Sequence, residues 1–347
     1  MQAEQAQAGQ ARNAVPEVAA QGLQSPQQFL DRVAGACQPV VIRGLVDEWP
    51  VVAAGRQSLA TLSDYLLRFD ANEQAEVFIG EPQIAGRYYY TNDLKGFNFE
   101  RRQMAFGDAL NQMVAGSGPG HRSMYMGSSP TDLYLPGFSQ QNPMRLLSPS
   151  VSARIWLGHA SNVAAHYDTL DNIACVVAGT RRFTLFPPQT ISKLYVGPID
   201  HNMAGQPVSL AAAANDDERF PLFREVRDQA LVAQLDAGDA IYIPKLWWHQ
   251  IEALADFNAL VNYWWDAFGI ADQPSVALLL SMITIAERPA AEREAWKAFF
   301  DHYVFRPHGH PLAHLPPEQH GALGPLLPDN YARIRAFILR ALREGQS

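Results

Sequence analysis

At 347 residues, 48% of them hydrophobic and 18% charged, the chain can bury a large core without disulfide or metal staples. A formal net charge of −8, with no basic stripe interleaved with aromatics, argues against nucleic acid as a direct electrostatic partner. Cys37 and Cys175 make neither a disulfide framework nor a C-x-x-C motif, the first twelve residues carry no secretory core, and the apolar run 276–286 falls well short of the ~20 residues of a membrane span; a cytoplasmic protein with no membrane partner is expected.

Residues 1–24 lack periodicity and are expected to form a loose arm. Ser25-Pro26 reads as an N-cap with proline in the first helical position, leading a short helix that turns Phe29, Leu30 and Val33 inward. Residues 38–44 read as a buried strand ending at glycine, with Trp49-Pro50 closing the turn after it. A helix over 59–67, strands over 76–79 and 87–91, a helix over 105–114 and a strand over 123–127 follow. A proline-broken loop then runs from 128 to 149. From 152 the pattern becomes dense in short strands: 152–157, one beginning at 166, then 173–177 and 182–186. After an irregular polar insert over 189–223 come 231–235, 240–243, 249–254 and 257–265. Short strands at regular spacing with turn signals predict a sandwich or barrel rather than βαβ units. Beyond 266 the pattern turns helical. Residues 276–286 are apolar nearly all round, so that helix should be buried or packed in an interface. Helices over 290–303 and 329–342 are amphipathic, and His308, His310 and His314 between them read as an ordinary loop.

Two pieces carry chemistry. In a period-2 strand His166 and Asp168 point to one face. Far downstream, a Gly-Asp turn, a strand, a proline and two tryptophans lead to His249. Two imidazoles and one carboxylate on a rigid β scaffold, with coordination positions left open, make the ligand set of non-haem Fe(II) oxygenases.

Taken together, H-Y-D-x-x-x-N at 166–172, R-R-F-T-L-F-P-P at 181–188, G-D-A-I-Y-I-P-K-L-W-W-H at 238–249 and V-N-Y-W-W at 261–265 resemble the JmjC-type cupin-like oxygenases. The branch includes the asparaginyl hydroxylase of hypoxia-inducible factor. Q-P-V-V-I-R-G at 38–44 and G-F-N-F-E at 96–100 are similar to the same group, so the resemblance covers about two-thirds of the chain. It implies a mainly β fold: a double-stranded β-helix (cupin, jelly-roll) core over 25–268, with α-helical N- and C-terminal additions. It also implies Fe(II), 2-oxoglutarate as co-substrate and O2, with His166, Asp168 and His249 as catalytic metal ligands and succinate and CO2 as products. The basic residue for the far carboxylate of 2-oxoglutarate falls on Arg181, where many relatives have lysine; Arg182 is the alternative, because adjacent strand residues face opposite ways. Tyr125, Asn172 and Asn262 match further cofactor-binding positions. Val163 stands where relatives often have threonine.

The expected activity is hydroxylation of a protein side chain or a small molecule. The alternative is a metal-binding cupin without 2-oxoglutarate chemistry, either another metal-dependent enzyme or a binding protein. Residues 269–347 are expected to form a helical region, which in the asparaginyl-hydroxylase branch builds a homodimer.

Overall fold

The computed structural model of the chain describes residues 13–116, 120–200, 202, 205–212, 218–269, 274–324 and 328–344. The chain divides into two compact units, Met1–Ile270 and Ala271–Ser347. The strands of the first unit are β1 Glu17–Ala19, β2 Val40–Arg43, β3 Gln74–Gly80, β4 Arg87–Tyr88, β5 Glu100–Ala105, β6 Ser123–Pro130, β7 Ala153–His166, β8 Asp171–Ala178, β9 Thr180–Phe186, β10 Leu231–Asp236, β11 Ala240–Ile243 and β12 Trp248–Trp265. Its longer helices are α1 Pro26–Arg32, α2 Pro50–Gln57, α3 Leu59–Leu67 and α4 Phe106–Ala115. The strands join in one mixed sheet, the double-stranded β-helix expected of a cupin core.

Its central path runs β1-β2-β11-β8-β12-β7-β6-β3-β5. The long strand β12 ties the two halves together. Near its start it pairs with β9, Trp248 opposite Phe186, and towards its end it pairs with β8, Trp265 opposite Asp171, while β7 flanks it through most of its length. A register shift between Ala253 and Phe257 is where the strand passes from one set of partners to the other.

Alternation sorts the side chains into two cores. Ile173, Cys175 and Val177 of β8 and Val261 and Tyr263 of β12 pack outward under the helical N-terminal layer, with Phe29, Leu62, Leu66 and Leu110. The neighbours in between, Ala174, Val176 and Leu260, face inward with Phe183, Leu185, Leu235 and Ile241. The cavity described below abuts this inner core, with Ala174 and Leu260 belonging to both.

Several expectations need correction. The arm is not loose where it is described: β1 pairs in parallel with β2, and Arg43 holds Glu17 through its guanidinium. Three residues suffice for this pairing, too few to show periodicity; residues 1–12 lie outside the described ones. Pro50 does not end a turn but opens α2, as proline can in the first helical position. The strand over 152–157 and the one expected to begin at 166 are a single strand, β7, which ends at His166 and leaves Asp168 just beyond it. Likewise 249–254 and 257–265 are one strand, β12. Both run through residues that read as turns because neighbouring strands on both sides supply their hydrogen bonds. The Ser25 cap is present: its hydroxyl accepts from the Gln28 amide.

The second unit holds α5 Pro274–Ile285, α6 Ala290–Phe300 and α7 Pro328–Glu344. The first of these was expected to be buried or in an interface; in the single chain it has no buried residue. No described helix is long and apolar enough to cross a membrane.

Candidate metal centre and its cavity

Register brings the two histidines together. His249, second in β12, is the cross-strand partner of His166, last in β7. Their ring centroids are 4.3 Å apart. In each, Nδ1 lies 2.9 Å from the backbone carbonyl two residues earlier, Ala164 for His166 and Trp247 for His249. A carbonyl can only accept, so Nδ1 carries the proton and Nε2 keeps its lone pair for a metal. Burial first, and then the neighbouring His166, push His249 down to about 4, so it is neutral at ordinary pH.

Asp168 completes the group. Its backbone carbonyl accepts from the Leu246 amide, and one carboxylate oxygen accepts from the indole nitrogen of Trp264 at 3.0 Å. The same oxygen is 3.7 Å from His249 Nε2. The ligand atoms of His166, Asp168 and His249 all lie within 4.8 Å of one another, and among the described residues no other group of three metal-ligating side chains converges in this way.

These three line a cavity of about 570 Å³ together with Tyr125, Asn172, Arg181 and Asn262, so all seven site residues expected from the sequence meet in one place. The choice between the two arginines follows from strand alternation. Arg182 turns out of the barrel and pairs with Glu252, whereas Arg181 turns in and is only 4% exposed. Its Nε has no hydrogen-bond partner. Burial lowers the Arg181 pKa to about 10, still charged at neutral pH. Burial also raises the Tyr125 phenol, and the nearby Arg181 opposes that shift.

Asn262 and Asn172 form a short relay. Trp156 donates to the Asn262 carbonyl oxygen at 2.6 Å, and the Asn262 amide donates to Asn172 at 3.0 Å. The relay leaves both asparagines satisfied inside an apolar barrel, as burial demands.

The cavity also holds residues beyond these seven. Trp264 closes in from the V-N-Y-W-W run, where counting two on from Asn262 puts it on the inner face. Arg154, two before Trp156, is found by the same count. The insert over 189–223 contributes Gln206 and Val208 to the lining, pinned by the Ser209 amide donating to the Ala165 carbonyl. Of the three tyrosines at 88–90, Tyr88 reaches the cavity and packs beside Tyr125.

Residues 26–269 match the family described as cupin-like domain. Jumonji C domain-containing protein 5 of Drosophila melanogaster is 34% identical over 118 residues, 34% of this chain and 28% of that protein. Lysine-specific demethylase 8 of Xenopus tropicalis is 22% identical over 250 residues, 70% of this chain and 51% of that protein. tRNA wybutosine-synthesizing protein 5 of Mus musculus is 28% identical over 145 residues, 37% of this chain and 43% of that protein. The chain thus spans between about a quarter and a half of the curated relatives it matches.

Proposed function

The chain belongs to the JmjC-type cupin-like domain family, and on that premise we propose that it is an Fe(II)- and 2-oxoglutarate-dependent oxygenase that hydroxylates a protein side chain or a small molecule. The residues present fit both groups. Two imidazoles with Nδ1 committed to backbone carbonyls and one carboxylate make a facial donor set for iron. The observation that carries the oxo acid is Arg181: a buried guanidinium with an orphaned Nε, lining the same cavity as the triad. A buried cation without a counter-charge is unfavourable, and a carboxylate taken by its planar fork relieves it.

When bound, the metal and the oxo acid supply the activation of O2, with succinate and CO2 released. The protein's part is to hold and to exclude. His166, Asp168 and His249 would hold the ion. Arg181, with Tyr125 beside it, would fix the far carboxylate at the depth of the cavity. The Trp156–Asn262–Asn172 relay would keep the inner wall rigid next to the co-substrate. Gln206 and Val208 add to the cavity lining around that space. No side chain has to serve as acid or base.

Calorimetry tests this directly. With Mn(II) in place of iron, wild type is expected to bind 2-oxoglutarate. Arg181→Gln should weaken it at least about a hundredfold, since removing one partner of a buried charge pair costs about 3–5 kcal/mol. Because the substitution also removes an unpartnered buried cation, the unliganded variant should melt no lower than wild type. Equal binding by both proteins would contradict the role of Arg181.

Two further parts of the proposal concern the whole protein. The exposed apolar helices of the second unit support a homodimer. Cys37 and Cys175, both free, support a reducing, cytoplasmic setting.

A further inference from the structure

Five charged side chains besides the histidines line the cavity: Glu76, Arg101, Arg154, Asp168 and Arg181. Glu76 and Arg101 form a half-exposed pair at 3.6 Å. On the reading above, on which this inference rests, the remaining charges can be counted. The two positive charges of the ion and the one on Arg181 are offset by Asp168 and the two carboxylates of the oxo acid. Arg154 is left over.

Its side chain is held, yet not neutralised. Nη1 donates to the carbonyl and to the hydroxyl oxygen of Ser128, each at 2.8 Å. Ser128 adopts a φ of +56° at an irregularity in β6, an uncommon conformation for a residue with a side chain, and both of its oxygens are thereby spent on this one nitrogen. The guanidinium lies over the Trp264 ring, 5.6 Å from its centroid, and Trp264 donates to Asp168. Arg154 has no carboxylate partner among the described residues, and its Nε and Nη2 donate to none of them. That edge presents two parallel N–H groups, the geometry that takes a carboxylate bidentately.

We propose that Arg154 is a specificity-determining residue that docks a carboxylate of the primary substrate beside the metal. A single leftover positive charge matches a monoanion. A neutral substrate would leave a half-buried cation uncompensated, and a dianion would overshoot.

The probes are benzoate and benzamide, of nearly equal shape and different charge, with methyl phenyl phosphate as a monoanionic phosphodiester. Each is titrated into protein saturated with Mn(II) and 2-oxoglutarate, and the line broadening that the metal imposes on the aryl protons is read by NMR. Wild type should broaden benzoate about tenfold more than benzamide, in keeping with a charge-assisted hydrogen bond. Arg154→Gln should abolish the difference and Arg154→Lys should restore part of it. In Arg154→Gln the affinity for 2-oxoglutarate itself should stay within about twofold, which shows the variant folded and separates this residue from Arg181. Equal broadening of benzoate and benzamide by wild type, or a preference surviving in Arg154→Gln, would overturn the proposal. Stronger broadening of the phosphodiester than of benzoate would replace the carboxylate by a nucleic-acid or lipid phosphate. Displacement of 2-oxoglutarate by benzoate would place the probe at Arg181 and overturn it too. If wild type binds no 2-oxoglutarate, the oxygenase reading itself falls, and this inference with it.

Discussion

Asp168 is the ligand most in need of support, because it lies past the end of β7, where no strand partner fixes it. Trp264 supplies that support by donating to its carboxylate, and the Leu246 amide holds its carbonyl. Trp264→Phe keeps the ring and removes the hydrogen bond. It should lower Mn(II) affinity about tenfold or more, as the loss of an outer partner of a metal ligand does, with little change in thermal stability. Unchanged affinity would mean that the strand end alone orients Asp168. The ligands themselves were legible in the sequence, since H-x-D and a downstream histidine are a chemical signature. Trp264 was not, because only the strand register fixes which residues of the V-N-Y-W-W run face in. Arg154 escaped for the same reason: it stands alone in the sequence, and only the two-residue count from Trp156 places it in the cavity.

At the scale of elements, the site depends on β12 pairing with β7, β8 and β9 along its length and on β9 delivering Arg181. Gly179, at φ +74°, makes the turn between β8 and β9. A Cβ there would sit 2.8 Å from the Phe257 carbonyl oxygen and would also meet the Asn258 side chain. Gly179→Ala should therefore cost about 1–3 kcal/mol, read as a lower urea midpoint. It should also weaken 2-oxoglutarate binding, because Arg181 is the second residue of the strand that follows. A loss of stability without a loss of binding would show that β9 keeps its register through β10 and β12 alone. The strands on either side of this turn were readable from their apolar runs. What was not readable is length: β7 and β12 continue through polar residues, since their neighbours satisfy the backbone whatever the side chains are. The choice between Arg181 and Arg182 was undecidable for a related reason, as a one-residue slip exchanges the two faces of a strand.

At the scale of the whole molecule, the second unit stands out by what it leaves uncovered. Val276, Leu278, Leu279 and Ile283 of α5, Phe299 of α6, and Phe337 and Leu339 of α7 are all more than half exposed. Burying one such side chain is worth about 1.5–3 kcal/mol, so helices bearing this many are expected to pack against a second copy. Sedimentation should find a dimer at micromolar concentration, and Leu279→Glu with Ile283→Glu should raise its dissociation constant at least about a hundredfold. A wild-type monomer would contradict this. The all-round apolar pattern of residues 276–286 predicts a covered helix, and in the single chain that helix has no buried residue. The most direct measurement of all is succinate formation by anaerobically purified protein given Fe(II), 2-oxoglutarate and air. Wild type is expected to release succinate slowly without a substrate, and both His166→Ala and Arg181→Ala to release none. Wild type that forms no succinate and binds no 2-oxoglutarate would contradict the oxygenase reading and leave a metal-binding cupin in its place.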